Sequence, residues 1–334
     1  MAWVKQLGSG ILLSLGIALV AAYAGSMFPL IGGAVFGILI GIAAGSVIRI
    51  RGGIMPGVQF TSKKVLQWAV MLLGSGLGLG QVYATGAASL VIILVTISSA
   101  LLVAVAAGRA LGVHFNLKSL IGVGTAICGG SAIAAIAPVI EAEDQEVSYA
   151  ISTVFLFNVI AVFIFPPLGH LLGMSQEGFG LFAGTAINDT SSVVAAGYTY
   201  GNAAGDHATV VKLTRTLMII PIALAFVAVM VRRKRAAHTH ADPHVRIGGI
   251  FPWFILGFLT MSALNTSGIL GDPAIAFLTG AGKFLIVMAL SAIGLKTDLR
   301  TMLASGTRPL ILGLIVWVTV ALTSIAVQWS GGQW

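Results

Sequence analysis

Two stretches of small polar residues recur inside very apolar segments, and their residue types suit ligand binding. Residues 124–136 read GTAICGGSAIAAI, and residues 184–196 read GTAINDTSSVVAA. Polar groups at membrane depth are costly and usually face a bundle interior or a water-filled cavity. Glycines in such a segment let the helix loosen and free backbone groups for a ligand. The pattern therefore predicts the binding site of a transporter.

Charged residues inside the apolar segments predict the charge of the ligand. Asp189 lies in the second phrase, and Arg215 and Lys283 lie in two later segments. The surplus of cations predicts an anion, and the N-termini of broken helices would add backbone N–H donors. The predicted binding residues are Thr125, Cys128, Gly129, Gly130, Ser131, Asn188, Asp189, Thr190, Ser191, Ser192, Arg215 and Lys283.

Several of these positions have alternative interpretations. Lys212 shares a helix face with Arg215 and could extend to the outer surface. Arg215 and Asp189 could form a structural ion pair without function. Asp189 could take up a proton during a transport cycle or hold a coupling cation. Cys128 could be a small packing residue. A sodium- or proton-coupled carrier and a passive channel are therefore the competing functions.

The composition places the chain in a membrane. Of its 334 residues, 57% are hydrophobic and 8% are charged, whereas soluble domains carry about 25% charged residues. The net charge of +8 comes mostly from segment ends, so it does not indicate nucleic acid. The single cysteine excludes an intrachain disulfide. We expect a multi-pass protein of the cell membrane with the lipid bilayer as its surroundings.

Hydropathy predicts an all-α protein with eleven spans of about 20 residues each. The spans are about 7–25, 30–48, 63–80, 87–108, 118–140, 148–171, 178–198, 207–231, 248–266, 273–295 and 308–329. Lys and Arg concentrate in alternate loops, which predicts an N-terminus inside and a C-terminus outside. The loop 141–146 would then lie outside and the loop 232–246 inside. A re-entrant hairpin at 118–140 would flip every later loop, so the pattern argues against one.

The ends of the first two spans carry two further signals. Residues 1–26 resemble a signal peptide, although a retained first helix is favoured because another span follows at residue 30. Gly33, Gly37, Gly41 and Gly45 form a stripe on one helix face, which predicts tight helix packing. Its partner could be internal or a second subunit, so a homodimer stays open.

The two GTAI phrases, with GYTYG at 197–201 and SAIGLKTDLRTM at 291–302, resemble the YeiH-type family of bacterial inner-membrane proteins, which are labelled sulfate exporters. The family is similar to the cation:proton antiporter and bile-acid symporter superfamily. That likeness implies one transporter domain, 1–334, with an extra first helix, 1–29, and inverted five-helix repeats at 30–171 and 178–330. Discontinuous helices would cross around Cys128–Ser131 and Gly280–Lys283. The two phrases would lie in parallel helices and would not be repeat equivalents.

The sequence thus predicts a secondary transporter that exports or exchanges a small anion, with sulfate or a related sulfur oxyanion as the first candidate. H⁺ or Na⁺ could be the coupling ion. An enzyme is not expected, because the sequence has no HExxH motif and no Ser, His and Asp set at membrane depth. Neither a metal nor an organic cofactor is expected.

Overall fold

A computed structural model describes residues 2–28, 32–48, 52–236, 252–297 and 306–334, and these residues contain no strand. Helix makes up 87% of the structure, which confirms the all-α prediction. The helices, numbered in chain order, are α1 (Ala2–Met27), α2 (Gly32–Ile48), α3 (Met55–Phe60), α4 (Leu66–Leu73), α5 (Leu79–Ala110), α6 (Phe115–Ala126), α7 (Gly130–Ile136), α8 (Asp144–Leu171), α9 (Gln176–Ala186), α10 (Thr190–Tyr200), α11 (Asn202–Leu217), α12 (Ile219–Ala236), α13 (Phe254–Thr266), α14 (Asp272–Lys296) and α15 (Thr307–Ser330).

Six helical stretches are long and apolar enough to cross a membrane, which supports a multi-pass protein. They are Leu7–Met27, Leu79–Ala110, Asp144–Leu171, Asn202–Arg232, Asp272–Lys296 and Thr307–Ser330. Two shorter apolar helices, Gly32–Val47 and Phe254–Thr266, accompany them. The predicted basic loop lies partly outside the described residues, from 237 to 246, as does Arg300.

The fifth predicted span is a helical hairpin that returns to the side where it began. The Asn116 side chain, at the start of α6, donates a hydrogen bond of 3.1 Å to the Glu146 carboxylate at the start of α8. The intervening chain therefore cannot cross the bundle. A helix the length of α6 reaches about 18 Å, roughly half of the ~30 Å hydrocarbon core. The expectation of a full span at 118–140 is wrong.

The seventh predicted span is a second hairpin, made by α9 and α10. The Gln176 side chain, at the start of α9, accepts the N–H of Ala203 at 3.0 Å near the start of α11. The Tyr200 hydroxyl, at the end of α10, donates to the carbonyl of Met174 just before α9. Hence α10 ends beside the point where α9 begins.

The two hairpins enter the bundle from opposite ends. The first lies at the N-terminal end of α8, and the second begins just after α8 ends. Helices α6 and α9, which carry the GTAI phrases, therefore run in opposite directions, and the expectation that they are parallel is wrong. Two hairpins also cancel each other's effect on later loops, so the 232–235 cluster stays on the side of the N-terminus.

The acidic loop 141–146 has a local structural role at the start of α8. The Glu143 and Glu146 side chains form a reciprocal capping box, which satisfies N–H groups that have no partner within the helix. Asp144 and Glu146 lie in the first turn, where negative charge is favourable to the helix dipole.

Helix α14 is continuous, so the predicted break at Gly280–Lys283 is wrong. The glycines allow close packing instead of a break. A Cβ atom on Gly282 would lie 3.1 Å from the Ala69 carbonyl oxygen and 3.2 Å from the Leu73 side chain, both on α4. The division into repeats at 30–171 and 178–330 stays a prediction.

The glycine stripe of α2 packs against α14 within the same chain. A Cβ atom on Gly41 would lie 2.5 Å from the Ser291 carbonyl oxygen and 2.9 Å from Gly294 Cα. Gly37 and Gly45 approach Ser291 and Leu295 in the same way. The internal partner explains the four-residue repeat, because small residues let two backbones touch.

The helices form two bundles. The first contains α1 to α4 with α13 and α14, and the second contains α5 to α12 with α15. Apolar side chains join the bundles where Val194 and Ala195 of α10 pack against Val35 and Ile38 of α2 and Leu290 of α14. This division matters because a cavity lies between the two bundles.

The hairpin topology predicts which loops share a side. In a Cys128→Ser background, we expect Gln145→Cys and Arg232→Cys to react with an impermeant thiol reagent from one side of sealed vesicles, and Ser267→Cys from the other. If Gln145→Cys and Ser267→Cys reacted from the same side instead, residues 118–140 would be a full span and the hairpin would be wrong.

The contact between α2 and α14 predicts a steric cost at Gly41. Gly41→Ala should destabilise the protein by about 1–3 kcal/mol because the backbones must separate. Gly16→Ala is the matched control, since a Cβ atom placed on Gly16 would have no other atom within 4 Å. The melting temperature in detergent should fall for Gly41→Ala alone, and equal values for both variants would contradict the packing argument.

Candidate functional site

The tips of the two hairpins are helix breaks that meet inside the second bundle. Break one is residues 127–129, between α6 and α7, and break two is residues 187–189, between α9 and α10. Gly129 has φ +68°, a conformation that glycine adopts without a steric penalty. Asp189 is the N-cap of α10, a position that favours Asp. The CGGS and NDTSS cores of the two phrases therefore encode the breaks.

Lys212 of α11 links the two breaks. Its ammonium donates hydrogen bonds to the carbonyl oxygens of Ile127 at 2.6 Å and Ile187 at 3.1 Å. The side chain is 0% exposed. The alternative in which Lys212 extends to the surface is therefore wrong.

Arg215 binds the ends of both helices that precede the breaks. Its Nε donates to Ala126 O at 2.7 Å, its Nη2 to Thr125 O at 2.8 Å and its Nη1 to Thr185 O at 2.5 Å. The guanidinium is 0% exposed. The last carbonyls of a helix have no partner within it and carry partial negative charge. Lys212 and Arg215 thus neutralise the C-terminal ends of α6 and α9.

This arrangement replaces the predicted ion pair between Arg215 and Asp189. The Arg215 hydrogen bonds go to backbone carbonyls, whereas the Asp189 carboxylate accepts the Ser191 N–H at 3.0 Å and the Ser191 hydroxyl. The carboxylate therefore caps α10, and its hydrogen bonds go to Ser191 instead of Arg215.

Asn158 of α8 holds the second break, and sequence reasoning missed it. Its Oδ1 accepts the N–H groups of Asn188 at 3.0 Å and Asp189 at 3.1 Å. Its Nδ2 points toward break one, 3.7 Å from a Cβ placed on Gly129. The available signal was a lone amide in the apolar run FLFNVIAVF, since such residues in membrane segments are usually functional.

Asn188 is an unpaired polar group at the centre of the molecule. It is 0% exposed, and neither its Oδ1 nor its Nδ2 has a hydrogen-bond partner among the described residues. The Asn158 Nδ2 is likewise unpartnered there. Buried amides normally find partners, so these two side chains are exceptions at the contact between the breaks.

A cavity of about 470 Å³ lies between the hairpin tips and the first bundle. Both breaks contribute to its wall, so the structure brings the two phrases together. The polar lining consists of Cys128, Gly130, Ser131, Asp189, Thr190, Ser191 and Thr216 from the second bundle, and Ser62, Lys63, Gln67 and Lys296 from the first.

Lys63 and Lys296 supply the cations that line the cavity. Lys63 lies in a π-helical turn, Thr61–Val65, between α3 and α4, and such turns are frequent at functional sites. Lys296 is the last residue of α14, and its ammonium lies 5.9 Å from the centroid of the Phe155 ring. With Asp189, the lining has two ammonium groups and one carboxylate. Sequence reasoning counted both lysines only as loop charges.

The N-terminal ends of α7 and α10 also face this cavity, through Gly130 and Ser131 and through Thr190 and Ser191. First-turn N–H groups have no partner within their helix and attract negative charge. The Asp189 carboxylate, as the N-cap of α10, offsets part of the positive potential at that helix end. The cavity therefore presents donors and positive potential, while the carbonyl ends of the breaks are turned toward Lys212 and Arg215.

The remaining predicted residues lie behind the lining or elsewhere. Thr125, Gly129, Asn188, Ser192 and Arg215 are buried behind the wall. Lys283 is remote, because α14 is unbroken and Lys283 precedes Lys296 by thirteen positions, about 20 Å along the helix. Its ammonium instead donates to Asn202 Oδ1 at 2.8 Å. The prediction that Lys283 lines the same cavity as Asp189 is wrong.

The helices and the central cavity define a class, that of multi-pass helical membrane proteins. The family model described as Conserved hypothetical protein 698 matches residues 9–313. A UPF0324 membrane protein of Streptococcus pyogenes is 48% identical over 97% of each chain. Others are 44% identical in Fusobacterium nucleatum, over 96% of each chain, and 40% identical in Clostridium tetani, over the full length of both.

The chain belongs to the UPF0324 family of membrane proteins, and its resemblance to YeiH-type proteins is confirmed. The family is consistent with a transporter-like role.

The carbonyl contacts predict that Arg215 is needed for stability independently of Asp189. Arg215→Met should destabilise the protein by about 3 kcal/mol or more, since several buried carbonyls lose their donors. Asp189→Asn in the same chain should not restore the loss. Melting temperatures in detergent would measure both effects, with Arg232→Met at the exposed end of α12 as the control. Rescue by Asp189→Asn would show that the two side chains are an ion pair.

Proposed function

We propose that this protein is a secondary transporter of the cell membrane that moves a small anion by alternating access. The observation that carries the proposal is the cavity at the two helix breaks. Its lining joins two lysines, one carboxylate, hydroxyl groups and two helix N-termini. Such a surface stabilises negative charge, as helix N-termini do at anion sites in general.

Sulfate or a related sulfur oxyanion is the first candidate substrate. A dianion matches the two ammonium groups of Lys63 and Lys296, and Ser131 and Thr190 offer hydroxyl donors nearby. The volume of about 470 Å³ falls within the range of small-molecule pockets, about 300–1,000 Å³. It leaves room for water around an inorganic ion.

Asp189 supplies the carboxylate of the lining and lies among groups that would contact the anion. Its negative charge opposes anion binding, so H⁺ is the coupling ion of the proposal because its positive charge offsets that of the anion.

A sodium carrier with Asp189 as its ion site fits this geometry less well. Sodium sites use oxygen ligands, but the carbonyls of Ile127, Ile187 and Thr185 at the breaks already bind Lys212 and Arg215. The two buried cations take the place that a coupling metal ion would occupy at the same carbonyls. The remaining charges of the cavity favour an anion.

The adjacent residues Lys63 and Lys64 offer a matched test. Lys63 lines the cavity, whereas exposed Lys64 does not. Lys63→Gln and Lys296→Gln should each weaken sulfate binding about five- to tenfold, because a partly screened charge contributes roughly 1 kcal/mol. Lys64→Gln should bind as the native protein does. Calorimetry in detergent and sulfate uptake into liposomes with an imposed pH gradient would measure binding and transport.

Equal affinities in all three variants would contradict an anion site at this cavity. Sulfate is one probe in a panel that also includes sulfite, thiosulfate and chloride. Uptake that depends on sodium and is abolished by Asp189→Asn, with Lys63→Gln and Lys296→Gln unaffected, would establish the cation carrier instead.

A further inference from the structure

A cluster of four polar side chains lies on the side of the molecule opposite the cavity. Tyr198 lies near the end of α10, Asn202 and Asp206 lie in the first turns of α11, and Lys283 lies in α14. Lys283 belongs to the first bundle and the other three belong to the second. We call these four residues the distal cluster.

Specific contacts hold the distal cluster together across the two bundles. The Lys283 ammonium donates to Asn202 Oδ1 at 2.8 Å and lies 5.2 Å from the centroid of the Tyr198 ring. The Tyr198 hydroxyl donates to the Asp206 carboxylate. Lys283 also interacts electrostatically with Asp206. One cation of the first bundle is therefore held by an amide, an aromatic face and a carboxylate of the second.

Beside the cluster, the contact between α10 and α2 contains no directional bond among the described residues. Thr199 of α10 lies against the start of α2, with its Oγ1 3.2 Å from a Cβ placed on Gly32, and this hydroxyl has no hydrogen-bond partner within the same described ranges. Deeper in the interface, Val194 and Ala195 make apolar contacts with α2 and α14. Apolar surfaces can slide at low cost, whereas a hydrogen bond to a charged group must break.

The two hairpins differ in how they contact the first bundle. The arm α10 of the second hairpin packs against α2 and α14, while α7 of the first hairpin borders the open cavity through Ser131 and Ala134. The hairpins enter from opposite ends, so the opposite state would close α7 and free α10. We propose that the distal cluster is the gate that keeps the far side closed in this state. The proposal rests on alternating access as the proposed function.

The only cysteine of the chain reports the state of this gate. Cys128 lines the cavity at the tip of the first hairpin. The experiment compares its modification by an impermeant, charged thiol reagent from each side of sealed vesicles. A hydrogen bond to a charged group is worth enough that its loss shifts a two-state equilibrium about tenfold.

Lys283→Met should therefore raise the rate of Cys128 modification from the side of the distal cluster about tenfold and lower it from the cavity side. Asn202→Ala removes the same hydrogen bond from an exposed position and should act in the same direction. Asp272→Asn, at the exposed start of α14, is the control and should behave as the native protein. Each variant is first checked for monodispersity in detergent.

If Lys283→Met fails that check, Asn202→Ala alone decides the matter. A second reporter, Thr190→Cys with Cys128→Ser, repeats the measurement at the tip of the other hairpin. Unchanged modification from the distal side in Lys283→Met and Asn202→Ala would overturn the gate, as would an equal change in Asp272→Asn. Failure of the transporter proposal is distinct, because it would show as absent sulfate binding and uptake in the native protein whatever the thiol rates.

Discussion

The structure depends on two buried cations that hold the ends of two opposed helices. The ammonium of Lys212 and the guanidinium of Arg215 bind carbonyl oxygens of both breaks. Without them, the partial negative charges of the two helix ends would face each other inside an apolar bundle. With them, two hairpins that enter from opposite ends can meet at one point. The position of the cavity follows from this contact between the hairpin tips.

The chain direction of the hairpins decides which backbone groups lie on each side of the breaks. Carbonyl ends point to α11 and amide ends point to the cavity. The separation requires little of the side chains beyond a glycine at positive φ and a capping aspartate. Lys63 and Lys296, from the other bundle, then add two ammonium groups to the lining of the cavity. The cavity thus combines helix-end potential from one bundle with side-chain charge from the other.

The sequence predicted much of this and misplaced a definable part. Hydropathy found the long helices and missed the short helix α3, and the first GTAI phrase located one break, because composition and glycine content act locally. Whether a segment crosses the bundle or turns back could not be found in the same way. A broken segment such as 118–140 is as long as a span, and two hairpins together leave the alternation of basic loops unchanged. The contact between Asn116 and Glu146 settles it. Glycine content alone also misled at Gly282, where close packing against α4 explains the residue. Lys283 was misassigned for the same reason.

Because Lys212 and Arg215 recognise main-chain oxygens, the anchor of the hairpins is indifferent to the side chains at the tips. Positions such as Cys128, Ser131 and Thr190 can change without removing a partner from either buried cation. The residues that hold the hairpins together and the residues that line the cavity therefore lie in separate parts of the chain. Substitutions at the tips would therefore change the lining of the cavity while the buried cations keep the two hairpins assembled.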